Sequence, residues 1–219
     1  MTIYQQRPNI RRHTNEALET IARQVISKYD PSLLYGPNFI PVEEIMEKVY
    51  GLTIEYHYIR KNGRILGETI FVDAEVPIYE RRNDEGYKLI RVKAGTVIID
   101  AGLLHKRVGN EGRLRFTCAH ELAHWVIDKD YFMEHGVMAA MTKDKRGKAI
   151  VSRSSETDVI VERQANRMAS RILMPKCTLK QAFYQARKNT AEIATELSVL
   201  YGVSKQAMEI RLKELGLAL

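Results

Sequence analysis

Three residues in the stretch "RFTCAHELAHWVID" (115–128), His120, Glu121 and His124, have the types and spacing to do chemistry together. Side chains four positions apart on an α-helix lie on one face, one turn above the other. Two imidazoles so placed can share a metal ion, at about 2.0–2.1 Å each if the ion is zinc. Glu121 follows the first histidine and projects about 100° further round the helix. It would flank such an ion rather than ligate it, within reach of a water held there. The chemistry would be hydrolysis. Zinc lowers the pKa of water towards about 7, and a neighbouring carboxylate takes the proton as the water attacks a carbonyl. A chance pattern on an amphipathic helix spells the same letters, so the surroundings matter. Phe116, Leu122, Ala123, Trp125, Val126 and Ile127 make this an apolar helix, suited to a core. Unpaired polar groups are costly there, and a shared metal would partner them.

A catalytic zinc usually takes three protein ligands and keeps one position open. Asp158, Glu162 and Asn166 are spaced four apart on a second helical stretch, "ETDVIVERQANRMASRILM". Glu162 is the chosen third ligand. Ala165 beside it would let two helices approach closely, and Asn166, one turn on, could hydrogen-bond the far nitrogen of a ligating histidine. Glu156 and Asp158 stand at the helix start, where carboxylates serve the dipole and the cap. His105 and His135 are weaker candidates from neighbouring loops. A tetrahedral intermediate also needs a donor for its negative charge; Tyr131, His105, His135 and Arg167 are candidates, and the sequence does not choose among them.

The elements that must position these residues are legible in outline. "TNEALETIARQVISKYD" reads as a helix capped by Thr14 or Asn15, with Leu18, Ile21, Ala22, Val25 and Ile26 as its apolar stripe. "IPVEEIMEKVYG" reads as a shorter helix, Pro41 near its first position and Gly51 past its end. The period then changes to two in "LTIEYHYI", and "ETIFVDA", "YKLIRVK" and "GTVIIDA" supply further strands. The middle third is therefore expected to be a small sheet, most simply antiparallel. An exposed "ETIFVDA" edge could pair with an extended substrate, although a strand buried within the sheet is the preferred reading. Residues 133–156 are polar with no sustained period and are expected to form a surface excursion, a candidate lid. Ser155 and Asp158 suggest a capping box for the helix that follows, and Pro175 stops it.

At 219 residues the chain can hold one substantial core, or a main domain with an appendage. The expected division is a metallopeptidase-like domain at 1–175 and a helical segment at 176–219. Composition is that of a globular protein, 45% hydrophobic and 28% charged. The start lacks an apolar signal region and no run reaches a membrane span, so a cytoplasmic location without membrane partners is expected. Two cysteines, Cys118 and Cys177, are too few for a disulfide framework. Cys118 lies two positions before His120, away from the histidine face, and reads as core packing. The +7 net charge suits nucleic acid, an acidic partner or plain solubility, and "RPNIRRH" reads as a solvated arm.

"TELSVLYGVSKQAMEIRLKELG" has the look of a helix-turn-helix, with Gly202 at the turn and Ser204 capping the second helix. Lys205, Gln206, Glu209, Arg211 and Lys213 would be its exposed face. Their charges are mixed, whereas a DNA-reading helix should be basic. A pair packed on the core or docking a protein is preferred over DNA binding.

Taken together, "RLRFTCAHELAHWVID" and "ERQANRMASRILMP" closely resemble the ImmA/IrrE-type metallopeptidases of bacteria and their mobile elements. That pattern is an R-F-T-x-A-H-E-x-x-H helix followed by E-x-x-A-N and a small-residue helix ending L-M-P. "IPVEEIMEKVYGLTIEY" and "VSKQAMEIRLKELGL" also resemble parts of that family. The resemblance implies an α+β, zincin-like fold with a C-terminal helical bundle. It implies Zn²⁺ held by His120, His124 and Glu162, with Glu121 as catalytic base. It also implies cleavage of a helix-turn-helix repressor encoded nearby, releasing a stress-response or mobile-element regulon. The stretch from Met133 to Glu156 is longer and more charged than the family's usual connection, so no substrate-side residues are carried over. The alternative is a non-catalytic regulator acting through its C-terminal helices. Intact Glu121 favours the enzyme, since a structural metal site needs no general base.

Overall fold

The structure, a computed structural model, describes residues 11–60, 62–82, 86–105, 110–133, 156–186 and 190–217. Helix α1 (Asn15–Tyr29) begins where the Thr14 side chain accepts from the Ala17 N–H, and it buries Leu18, Ala22, Val25 and Ile26. This is the apolar stripe expected of an amphipathic helix. A short helix α2 (Val42–Glu44) widens into a π-helical turn, Ile45–Val49, and Gly51 with φ 64° ends it. Only glycine takes that left-handed turn without steric cost.

Five short strands follow. They are β1 (Thr53–His57), β2 (Gly67–Thr69), β3 (Ala74–Ile78), β4 (Lys88–Val92) and β5 (Thr96–Asp100). They do not form one antiparallel sheet, and that expectation is corrected. β1, β5 and β2 make a three-stranded mixed sheet in the order β1-β5-β2, while β3 and β4 pair separately. β1 runs parallel to β5, with Thr53 opposite Thr96 and His57 opposite Asp100; β2 runs antiparallel to β5, with Gly67 opposite Ile99. The physical reason is visible in β5. All five of its residues are buried, as in a central strand covered on both faces, and such strands read as unbroken apolar runs. A bridge between Tyr58 and Tyr79 links the two sheets.

The "ETIFVDA" segment is also corrected. Of its residues only Glu68 and Thr69 belong to β2, half-buried at the sheet's edge rather than within it, and Ala74 opens β3, whose other residues, "EVPI", lie outside the stretches read as strands.

Helix α3 (Asn110–Ile127) carries the histidine motif, and α4 (Glu156–Leu173) runs against it. Ala119, Ala123, Ala165 and Ala169 are fully buried, and small side chains let helix axes come close. Then come α5 (Lys176–Gln185), α6 (Thr190–Tyr201) and α7 (Lys205–Glu214). Ser204 caps α7 by accepting from the Ala207 N–H, and Gly202 makes the turn before it with φ 61°. Arg211, expected on the exposed face, is completely buried, a correction with a plain cause. Its guanidinium donates to the Met174 carbonyl and meets Glu19 and Glu214.

One continuous core joins Leu18 and Ile26 of α1, Leu122 of α3, Met168 and Ile172 of α4, and Leu197, Met208 and Leu212 of the last helices. A smaller cluster of Ile59, Ile70, Val76, Ile78, Val92 and Ile98 lies among the strands. Among the described residues no helix is long and apolar enough to cross a membrane. His135, Ser155 and most of the 133–156 excursion lie outside the described residues, as does the Asp158 side chain.

Candidate metal centre

The site begins with the packing of α3. Its apolar face is committed to the core through Cys118, Ala119, Leu122 and Ala123, all with no measurable exposure. That fixes the rotation of the helix, so His120 and His124 emerge together toward α4. Burial pushes the Cys118 thiol far above its ordinary range, which makes it an inert core group.

His120, His124 and Glu162 converge. Their nearest ligand atoms all lie within 4.8 Å of one another. His124 Nε2 is 2.9 Å from His120 Nε2. Glu162 Oε2 is 3.3 Å from His120 Nε2, and Glu162 Oε1 is 3.6 Å from His124 Nε2. Corners of a tetrahedron whose arms are about 2.0–2.1 Å stand roughly 3.3 Å apart. The three separations bracket that value, so the donor set fits a zinc-sized ion.

The hydrogen bonds behind the imidazoles decide which nitrogens face inward. His124 Nδ1 lies 3.1 Å from Asp128 Oδ2. A carboxylate oxygen accepts, which favours the tautomer with the proton on Nδ1 and a lone pair on Nε2. His120 Nδ1 stands 3.1 Å from Asn166 Oδ1, which sets the same tautomer. Two lone pairs and a carboxylate therefore point into one small volume. These groups repel one another unless a cation lies between them, and metal sites are built in this way.

The polarity of the site runs from core to solvent. The side chain of His124 is 7% exposed, that of His120 15% and that of Glu162 53%. Access is thus from the Glu162 side. Burial alone would lower the His120 pKa. The hydrogen bond to Glu162, the charges of Glu121 and Glu162, and the Asn166 contact outweigh it and hold the value above ordinary histidine.

Glu121 stays outside this trio. Its side chain is buried and is held by Thr69 of β2, whose Oγ1 donates to Glu121 Oε2 at 2.8 Å. Gly67, two residues earlier, lies so close that a Cβ there would come within 2.5 Å of Glu121 Oε1. An aromatic wall adjoins. Phe132 meets His124 edge-on at 5.5 Å and stacks on Phe71 at 4.7 Å, and Phe71 stacks on Trp125 at 5.7 Å.

Of the residues singled out on sequence, His120, His124, Glu162 and the supporting Asn166 come together. His105 does not join them; its Nε2 faces the Tyr58 hydroxyl at 3.2 Å. Tyr131 packs its ring against Phe132, and Arg167 is exposed on α4, where its carbonyl accepts from Arg171. The sequence reading missed Asp128, Thr69 and Gly67. Asp128 had a signal, an acidic residue one turn after His124 on the same face. Thr69 and Gly67 had none, since only the fold brings β2 to α3.

A family model described as the IrrE N-terminal-like domain, Peptidase_M78, matches residues 103–213, just over half of the chain. No curated protein matches the chain.

Proposed function

Because the chain belongs to the Peptidase_M78 family, we propose that it is a zinc-dependent endopeptidase of the HExxH type. In this reading His120, His124 and Glu162 hold the ion and Glu121 is the base. The observation that carries it is the convergence of three lone-pair-bearing groups at 2.9–3.6 Å, with a buried carboxylate beside them that is not needed to hold an ion. A zincin-like arrangement, with the motif helix beneath the edge of a small sheet, accounts for both features.

When bound, zinc would polarise the scissile carbonyl and make water a nucleophile near neutral pH. The chain's own residues do the rest. Asp128 and Asn166 keep both imidazoles in the tautomer that presents Nε2. Glu121 takes the proton from the attacking water and returns it to the leaving amine. The β2 strand, which among the described residues pairs with β5 on one side only, offers its other edge to an extended polypeptide by main-chain pairing. The wall formed by Phe71 and Phe132 limits water on one side.

The proposed substrate is a helix-turn-helix repressor encoded near the gene for this protein. Support comes from the family and from the resemblance of the two motif helices. The proposed setting is the bacterial cytoplasm, with α6 and α7 as a surface for a protein partner rather than for DNA. Glu209 on α7 lies 3.8 Å from Lys205, so part of the exposed positive charge there is offset.

Glu121→Gln tests the reading. The variant should keep about one zinc per chain and lose cleavage of the purified repressor, while Glu162→Ala should lose the metal as well. Chelator should abolish cleavage by the wild type, and added zinc should restore it. Undiminished cleavage by Glu121→Gln would eliminate the proposed base.

A further inference from the structure

Glutamate is a flexible side chain, and ordering one costs rotamer freedom. A general base must nonetheless be held in a productive position. On α3 the polar side chains three and four positions away, which share its face, are engaged elsewhere: Thr117 donates to the Arg113 carbonyl and His124 pairs with Asp128. The restraint has to come from another element.

The structure supplies one. Thr69 Oγ1 donates to Glu121 Oε2 at 2.8 Å and lies 3.3 Å from the Glu121 carbonyl oxygen. Gly67 meets the other carboxylate oxygen, since a Cβ built there would sit 2.5 Å from Oε1 and 2.8 Å from Cγ and Cδ. The two residues alternate with Glu68 along β2, so they lie on the same side of the strand. Both are half-buried, and Glu121 is 6% exposed. The φ of Gly67 is not in the left-handed region, so the backbone does not require glycine there. Space for the carboxylate does.

We infer that Thr69 and Gly67 of β2 form a seat for the Glu121 carboxylate and are positioning residues for the peptidase step. The Thr69 hydroxyl anchors one oxygen, and the bare Cα of Gly67 lets the strand close over the other. The same three-residue strand thus holds the base and borders the edge proposed for the substrate, which keeps the two in register. This inference rests on the peptidase reading for its catalytic meaning. The seat itself is a statement about where Glu121 sits.

Thr69→Val keeps the shape and removes the donor; Thr69→Ser keeps the donor. With the purified repressor as substrate, Thr69→Val should lower kcat by about ten-fold with KM within two-fold, and Thr69→Ser should recover most of the rate. Gly67→Ala should lower kcat at least as far. Zinc content and thermal unfolding are measured alongside. Should Thr69→Val lose either, Thr69→Ala, which adds no bulk, takes its place. A second readout needs no turnover: crystal structures of zinc-loaded Thr69→Val and Gly67→Ala should show Glu121 displaced or spread over rotamers. Wild-type kcat in Thr69→Val, a rise in KM alone, or an unmoved Glu121 in both crystals would overturn the inference. A wild type that binds zinc and cleaves no repressor would instead overturn the peptidase reading, while the crystal structures would still decide the seat.

Discussion

At the scale of single residues, the telling group is Asp128, which ligates nothing in the proposed centre. Its side chain is 3% exposed and is paired with His124 Nδ1. A carboxylate buried there would be costly without that partner, and the pairing makes His124 Nε2 a better donor. Asn166 does the neutral equivalent for His120 at a more open position. The two should therefore differ in weight. Asp128→Asn keeps the volume but removes the charge, and it should weaken zinc binding by roughly 10–100-fold. Asn166→Ala should cost less. Competition with a chromophoric chelator measures both, and an unchanged zinc affinity in Asp128→Asn would refute the orienting role. The grouping of His120, His124 and Glu162 could be read from sequence because its spacing is local to two helices. Asp128 followed the same four-residue rule and was there to be found.

At the scale of elements, helices were legible and strand partnerships were not. The α1 stripe and the Thr14 cap are consequences of nearby residues, and so are the Ser204 cap and the Gly202 turn. The parallel pairing of β1 with β5 joins segments about forty residues apart, and alternation along one strand carries no information about its partner. Arg211 failed for a related reason. A charged residue on a polar-looking helix reads as solvated until the fold brings Glu19 to it. The α3–α4 contact is the element on which the metal centre depends, because each helix brings part of the ligand set. Ala165 is fully buried on α4, one turn from Glu162. Ala165→Leu should force the helices apart, destabilising the fold by about 1–3 kcal/mol. Zinc affinity should fall as well, since Glu162 moves with its helix. Denaturant melts and zinc titration on the same samples check the pair of effects. Destabilisation with undiminished zinc affinity would show that the centre tolerates a shift between helices.

At the scale of the whole molecule, the first and last described helices are tied to α4, which carries Glu162, through buried charge. Arg171 of α4 and Arg211 of α7 are 1% and 0% exposed. Glu19 of α1 accepts from Arg211 at 2.5 Å and lies 3.4 Å from Arg171 Nε. Glu214 of α7 bonds both arginines. Arginine keeps its charge, so an ionised Glu214 is favoured beside the two guanidiniums. For Glu214, burial alone would raise the pKa, but the hydrogen bonds and charges of Arg171 and Arg211 outweigh it and hold the carboxyl below its usual value of 4.5. A depressed carboxyl stabilises the folded state at pH above that ordinary value, and the contribution is lost as pH falls through the lower, folded value. Removing one partner of a buried pair costs about 3–5 kcal/mol. The Glu214 side chain is 29% exposed, so solvent screening should reduce this to about 2 kcal/mol. Glu214→Gln should thus be less stable than the wild type by a constant margin near neutral pH. The margin should close as the medium is acidified below about 4.5, where the wild-type carboxyl also becomes neutral. Urea melts across pH 3–7 read this directly. A gap that persisted undiminished at pH 3 would mean that the contribution of Glu214 is packing rather than charge, and that the three helices are held together without this ion cluster.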